Sequence, residues 1–183
     1  LMGQHPVARA EAQPVEGHVP SPGCVLGEGD LAGIGVQQRG DLIIERLDAR
    51  GGPARRLTSH EGMELFPKFS PDGTQIAFSA EYNGTRQVYV MPAEGGTPKQ
   101  LTWYNDVGPM PPRGGFDYRV LDWTPDGEHI MVRANRLPWG VRMGRYHLVP
   151  ASGGDEMPMA IPEGGGGMFS PDGTKVVYTP IDR

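Results

Sequence analysis

The sequence predicts an all-β protein, because two motifs recur along it and its glycines and prolines fall at regular places within them. The chain has 183 residues, of which 28 are Gly and 19 are Pro. A composition this rich in Gly and Pro lies near the range of low-complexity chains, but it also suits short strands joined by tight turns. The positions of these residues decide for the second interpretation.

The first motif is an aromatic residue followed by a Pro-Asp-Gly turn and an alternating apolar strand. It occupies residues 69–78, 123–132 and 169–178. Pro presets the first central position of a tight turn, Asp bonds to the local backbone and Gly adopts a positive φ without strain. Apolar residues two apart after each turn point to one face of a strand. One β-hairpin is therefore predicted three times, with turns at Pro71-Asp72-Gly73, Pro125-Asp126-Gly127 and Pro171-Asp172-Gly173.

The second motif is a short apolar strand that ends in a Gly pair. It occupies residues 88–96 and 146–154, with a weaker copy at 44–52. The Gly pair supplies a turn to another short strand, which ends in Leu-Thr at 57–58 and at 101–102. Two of the three copies thus predict the same pair of strands.

Together the two motifs describe a four-stranded antiparallel blade, repeated every 40–50 residues, which is typical of a β-propeller. Helical repeats are excluded because Pro and Gly interrupt every segment that would have to be helical. A β-sandwich with similar hairpins is the alternative, and three near-identical turns argue against it. We expect about three blades: half a blade at 41–58, full blades at 65–102 and about 118–160, and the first half of another at 166–183.

Residues 40–183 are therefore predicted to form an incomplete propeller. Closed propellers typically have four to eight blades, so we expect the chain to be a fragment of a longer protein. Residues 1–39 form an atypical segment, without period 2 or period 3.6. They are interpreted as a disordered tail, as a poorly matching first blade or as the translation of a misread frame.

Charge and cysteine content exclude several classes of function. A net charge of -5 argues against a nucleic-acid partner. Cys24, the single cysteine, excludes an intramolecular disulfide framework and a Cys-rich zinc site. No apolar run is long enough to cross a membrane, and no signal peptide is visible. We expect a cytoplasmic protein, or a periplasmic one if a signal peptide is missing from this fragment.

A search for catalytic, cofactor-binding and metal-binding motifs finds none, and we expect no such residues in this chain. His129 and His147 fall opposite apolar strand positions, so solvent-facing side chains are predicted. Two insertions rich in Pro, Gly and aromatic residues are predicted to project from one face and to contact a peptide or protein partner. Their candidate contact residues are Trp103, Tyr104, Phe116, Tyr118 and Trp139.

The motifs at 69–73, 88–96 and 100–102 resemble the WD-like repeats of TolB-type propellers. A narrower resemblance, to the tricorn-type serine peptidases, rests on residues 52–62, 66–104 and 140–182 and covers roughly 40–183. It implies an N-terminal propeller followed by a second propeller, a PDZ-like domain and a Ser/His catalytic domain. It also implies assembly into a homo-oligomer and propellers that filter or channel peptides. None of that family's catalytic positions has a counterpart here, so no catalytic residue is assigned.

Two functions follow as expectations. The first is a propeller that gates peptide substrates on their way to a catalytic domain absent from this chain. The second is a non-enzymatic TolB-like propeller that binds another protein. Propellers attached to other hydrolases are a third and weaker alternative.

Overall fold

The computed structural model describes residues 30–36, 42–83, 85–103, 118–134 and 144–180. They form four antiparallel sheets that follow one another along the chain. The first contains β1 (Asp30–Val36), β2 (Leu42–Asp48) and β3 (Arg55–Arg56). The second contains β4 (Glu64–Phe69), β5 (Gln75–Ala80), β6 (Gln87–Pro92) and β7 (Lys99–Gln100). The third contains β8 (Arg119–Trp123), β9 (His129–Ala134), β10 (Arg145–Pro150) and β11 (Met157–Pro158), and the fourth β12 (Gly164–Phe169) and β13 (Val176–Pro180).

Each Pro-Asp-Gly turn joins the first two strands of a sheet through the same hydrogen bonds. In the second sheet the Gly73 N–H donates to the Ser70 carbonyl at 2.9 Å, and the Thr74 N–H donates to Asp72 Oδ1 at 3.0 Å. Gly73 has a φ of 71°, a conformation in which a side chain would be strained. The Asp carboxylate and the Gly backbone together set the turn, and the strands leave it in register.

The Leu-Thr pairs have a structural role that the repeat alone does not reveal. The Thr102 hydroxyl accepts a hydrogen bond from the Val88 N–H at 2.9 Å, and the Thr58 hydroxyl accepts one from the Ile44 N–H at 3.1 Å. Each threonine therefore extends the pairing of the outer strand to the strand beside it. Both are buried, so an unpaired N–H at this place would be costly.

The hydrophobic core lies between successive sheets. Apolar residues of β5 and β6 pack against those of β8 and β9, in a cluster that includes Ala77, Val88, Val120 and Val132. A second cluster joins Ile44 of the first sheet to the second sheet, and a third joins Tyr146 to the β12–β13 hairpin. The second and third sheets are each covered on both faces. The alternation of polar and apolar residues along their strands therefore does not predict which side chains are exposed.

The first strands of three successive sheets, β4, β8 and β12, lie side by side and are called the inner strands below. Hydrogen bonds connect them: Trp123 Nε1 donates to the Lys68 carbonyl at 3.0 Å, and the Phe169 N–H donates to Asp122 Oδ2 at 2.9 Å. The β4 strand also contacts β1 and β2. Sheets arranged with their first strands adjacent in this way are the blades of a propeller, and those described do not close into a ring.

The predicted fold class is confirmed, with two differences in detail. The first sheet has three strands, because β1 pairs with β2 along its length, from Asp30↔Asp48 to Val36↔Leu42. This strand lies within the segment that we expected to be atypical. His147 was predicted to face solvent, and this is wrong: it is 9% exposed, because the face of β10 opposite the apolar positions is also covered. No helix in the described ranges is long and apolar enough to cross a membrane.

Candidate functional site

The strand order gives the sheets two distinct ends. The Pro-Asp-Gly and Gly-Gly turns meet at one end, where the Ala93 N–H donates to the Thr74 carbonyl at 2.8 Å. The two long insertions lie at the other end of the sheets, because antiparallel pairing places the described residues that flank them there. These flanking residues are Thr102, Arg119 and Ala134. The two ends are called the turn end and the loop end below.

The structure describes two of the five predicted partner residues, Trp103 and Tyr118, and only Trp103 is exposed at the loop end. Trp103, which follows Thr102 directly, is 66% exposed. Tyr118 instead lies in the core and is 2% exposed, and its hydroxyl bonds to Glu156. It precedes the inner strand β8, so its ring packs between the sheets and presents no contact surface. Tyr104, Phe116 and Trp139 lie outside the described residues.

The turn end carries a small cleft between neighbouring blades. Its walls are the aromatic residues that close the inner strands, the prolines of the three turns and two polar residues: Phe69, Trp123, Phe169, Pro71, Pro125, Pro171, Asp122 and Ser170. The turns stack on one another, since a Cβ on Gly173 would lie 3.3 Å from Pro125 Cγ, and one on Gly127 would lie 3.8 Å from Pro71 Cδ. Every predicted turn proline therefore contributes to this cleft.

Asp122 is the ionisable group of this cleft. Burial raises the pKa of its carboxyl, and the hydrogen bond from the Phe169 N–H and the charge of Lys68 act in the opposite direction. A carboxylate half-enclosed by aromatic rings and prolines can accept hydrogen bonds or hold a cationic group. Sequence reasoning missed it, although an acidic residue within the apolar strand at 119–123 was a usable signal.

The three turn aspartates are committed to the turns. The hydroxyls of Ser70, Thr124 and Ser170 hold the pKa values of Asp72, Asp126 and Asp172 below the usual range, helped by the backbone N–H two residues on. Asp126, Glu128 and His129 each place a ligand atom within 4.8 Å of the others. Because Asp126 Oδ1 already accepts bonds from Thr124 and from the Glu128 N–H, the hydrogen bonding of the turn accounts for its position.

A second buried carboxylate, Glu64, lies between the first and second sheets. It is 0% exposed and accepts hydrogen bonds from the Ile44 N–H at 3.1 Å and from the hydroxyls of Thr58 and Tyr82. Burial, and then the bond to Glu64, raise the pKa of Tyr82. The carboxylate gathers donors from both sheets, which makes it a fixed part of the interface.

Comparison with known proteins agrees with this architecture. Residues 34–183 match the family described as the tricorn protease N-terminal beta propeller domain. The chain belongs to this family. It is 35% identical to the tricorn protease homolog 1 of Streptomyces coelicolor over 114 residues, which are 62% of this chain and 10% of that protein. The chain thus spans about a tenth of the length of this curated relative.

Two solved structures show that this chain has a β-propeller fold. TolB from Acinetobacter baumannii superimposes with a TM-score of 0.63 at 24% identity, over 82% of this chain and 34% of TolB. The tricorn protease superimposes with a TM-score of 0.57 at 23% identity, over 72% of this chain and 13% of the protease. At these identities the likeness concerns the fold alone.

Proposed function

We propose that this chain is the propeller module of a tricorn-like serine peptidase and that it gates or channels peptide substrates to a catalytic domain elsewhere in a longer protein. The observation that carries the proposal is the match of residues 34–183 to the N-terminal propeller of that family. The longer protein is proposed to act in the cytoplasm as a homo-oligomer, with peptides as its substrates.

The geometry supports a passage along the inner strands. The strands β4, β8 and β12 lie side by side and present half-buried side chains, among them Lys68 and Asp122. The passage would lead between the loop end and the aromatic cleft of the turn end.

A second candidate is a non-enzymatic TolB-like propeller that binds another protein. The observation that favours it is the exposure of Trp103 at the loop end, since a large exposed aromatic side chain suits a protein interface.

The two candidates differ in the activity of the natural full-length protein. We expect that protein to hydrolyse unstructured peptides and to lose this activity when a serine-directed fluorophosphonate is added. The isolated 183-residue chain, as control, should hydrolyse none. Turnover by the isolated chain would contradict a modular role, and a full-length protein without peptidase activity would favour the second candidate.

A further inference from the structure

Two arginines lie opposite each other on neighbouring strands of the third sheet, near its loop end. Arg119 of β8 and Arg133 of β9 are direct partners in the antiparallel register. Directly opposed residues of such a pair project from the same face of the sheet, and like charges at these positions are destabilising. The pair therefore requires an explanation beyond the packing of the sheet.

Neither guanidinium has an acidic partner within the described residues. The Arg119 Cζ atom lies 4.4 Å from the centre of the Phe66 ring, and its Nε atom is buried without an acceptor. Arg133 Nη1 lies 3.4 Å from the Gly164 carbonyl, a long hydrogen bond. Among the described residues, most N–H donors of the two guanidinium groups thus have no hydrogen-bond acceptor.

Both side chains are nevertheless held in place. A Cβ on Gly144 would collide with Arg133 Cγ, so only glycine at this position leaves room for the methylene groups of Arg133. Arg119 rests on Phe66, which has a φ of 57°, a strained value for an aromatic residue. Strained residues of this kind often occur at binding sites. Burial and, second, the charge of Arg119 lower the pKa of the Arg133 guanidinium.

We propose that Arg119 and Arg133 form an oxyanion site that binds the carboxylate of an acidic side chain in an extended peptide. The guanidinium groups of these two cross-strand neighbours, both partly desolvated, offer N–H donors that suit the oxygens of a carboxylate, and their charges would neutralise it. The Phe66 ring would provide an apolar wall for the methylene groups of the bound side chain. That the carboxylate belongs to a peptide rests on the proposed function. That the two arginines bind an oxyanion does not.

The test is calorimetric titration of the 183-residue chain with a blocked peptide that alternates Glu and Gly, and with the same peptide carrying Gln for Glu. Inorganic phosphate is titrated separately. The variants are Arg119→Gln, Arg133→Gln and, as a matched control, Arg50→Gln, which removes an exposed arginine far along the chain from the pair. We expect the Glu peptide to bind, the Gln peptide not to bind, and the Kd to rise at least about tenfold in the two pair variants only.

Stability distinguishes a binding pair from a structural one. Because Arg133→Gln removes a like-charge contact, its Tm without ligand should equal or exceed that of the parent chain, while binding is lost. The variants Arg119→Lys and Arg133→Lys keep the charge and control for loss of binding through misfolding. They should bind the Glu peptide with intermediate affinity. Equal binding of the Glu peptide by all variants would overturn the site. Binding of phosphate but not of the Glu peptide would overturn the peptide as its ligand, and neither result depends on peptidase activity.

Discussion

The Asp122 carboxylate, on the inner strand of the third sheet, accepts a 2.9 Å hydrogen bond from the backbone N–H of Phe169 in the next sheet. This bond joins residues 47 apart in sequence and holds two inner strands together. We predict that Asp122→Ala, which leaves the N–H without its acceptor, lowers the free energy of unfolding by about 1–3 kcal/mol. Asp122→Asn keeps an acceptor oxygen and should cost less, as urea unfolding would show. Equal losses in both variants would contradict a role for the hydrogen bond.

Acid should change the stability contributions of the turn aspartates and of Asp122 in opposite directions. The pKa values of the turn aspartates are lowered by folding, so their stabilising contribution is present above their unfolded pKa and is lost as the pH falls through the folded value. The pKa of Asp122 is raised, so its contribution is present below the unfolded pKa and is lost as the pH rises through the folded value.

Measurement of the unfolding free energy from pH 6 down to about pH 2 checks this difference. Asp126→Asn should reduce the loss of stability in acid, whereas Asp122→Asn should enlarge it. Parallel pH profiles for the two variants would contradict the assignment.

Glu64 should be more sensitive to truncation than any exposed acidic residue near it. Glu64→Ala removes the acceptor of the Thr58 and Tyr82 hydroxyls and one of the two acceptors of the Ile44 N–H, and we predict a loss of about 3 kcal/mol in the free energy of unfolding. Hydrogen exchange at the Ile44 amide should be faster in this variant than in the parent chain. The matched control is Glu61→Ala, an exposed position at which we expect little change. Similar effects at the two positions would argue against the interface role of Glu64.

The stacked turns allow conformational strain and packing to be separated. Gly73→Ala places a side chain at a φ of 71° where no atom lies within 4 Å, so only strain of about 1–2 kcal/mol is expected. Gly173→Ala has the same strain at a φ of 70° and in addition meets Pro125 Cγ at 3.3 Å. Its loss of stability should be larger, and Gly166→Ala, which meets nothing within 4 Å, should cost least. A smaller loss for Gly173→Ala than for Gly73→Ala would contradict the stacking of the turns.

The sequence predicts the hairpins and their turns because these depend on neighbours a few residues apart. Asp72 bonds to Ser70 and Thr74, so a five-residue pattern contains the whole interaction. The contacts between blades depend on residues far apart, such as Trp123 Nε1 and the Lys68 carbonyl, and no local pattern records them. Tyr118 and His147 were misjudged for the same reason, since it is a neighbouring sheet that buries them.

The candidate site shows the same division. Trp103 could be proposed from its place in an insertion, and it is exposed. The pairing of Arg119 with Arg133 could be derived only from the register of β8 and β9, which a β-bulge between Val120 and Asp122 alters. A bulge leaves no clear mark in a single sequence.

Gating is tested most directly by obstructing the inner strands in the natural full-length protein. Lys68→Cys, in a Cys24→Ser background, places a thiol on the inner strand β4 for coupling to a bulky maleimide. We predict that the coupled protein hydrolyses long peptides at least about fivefold more slowly, while a dipeptide-sized ester is cleaved at the unmodified rate. The same label at Glu61→Cys, an exposed position outside the inner strands, serves as the control. Unchanged hydrolysis of long peptides by the Lys68→Cys conjugate would contradict a gating role for this propeller.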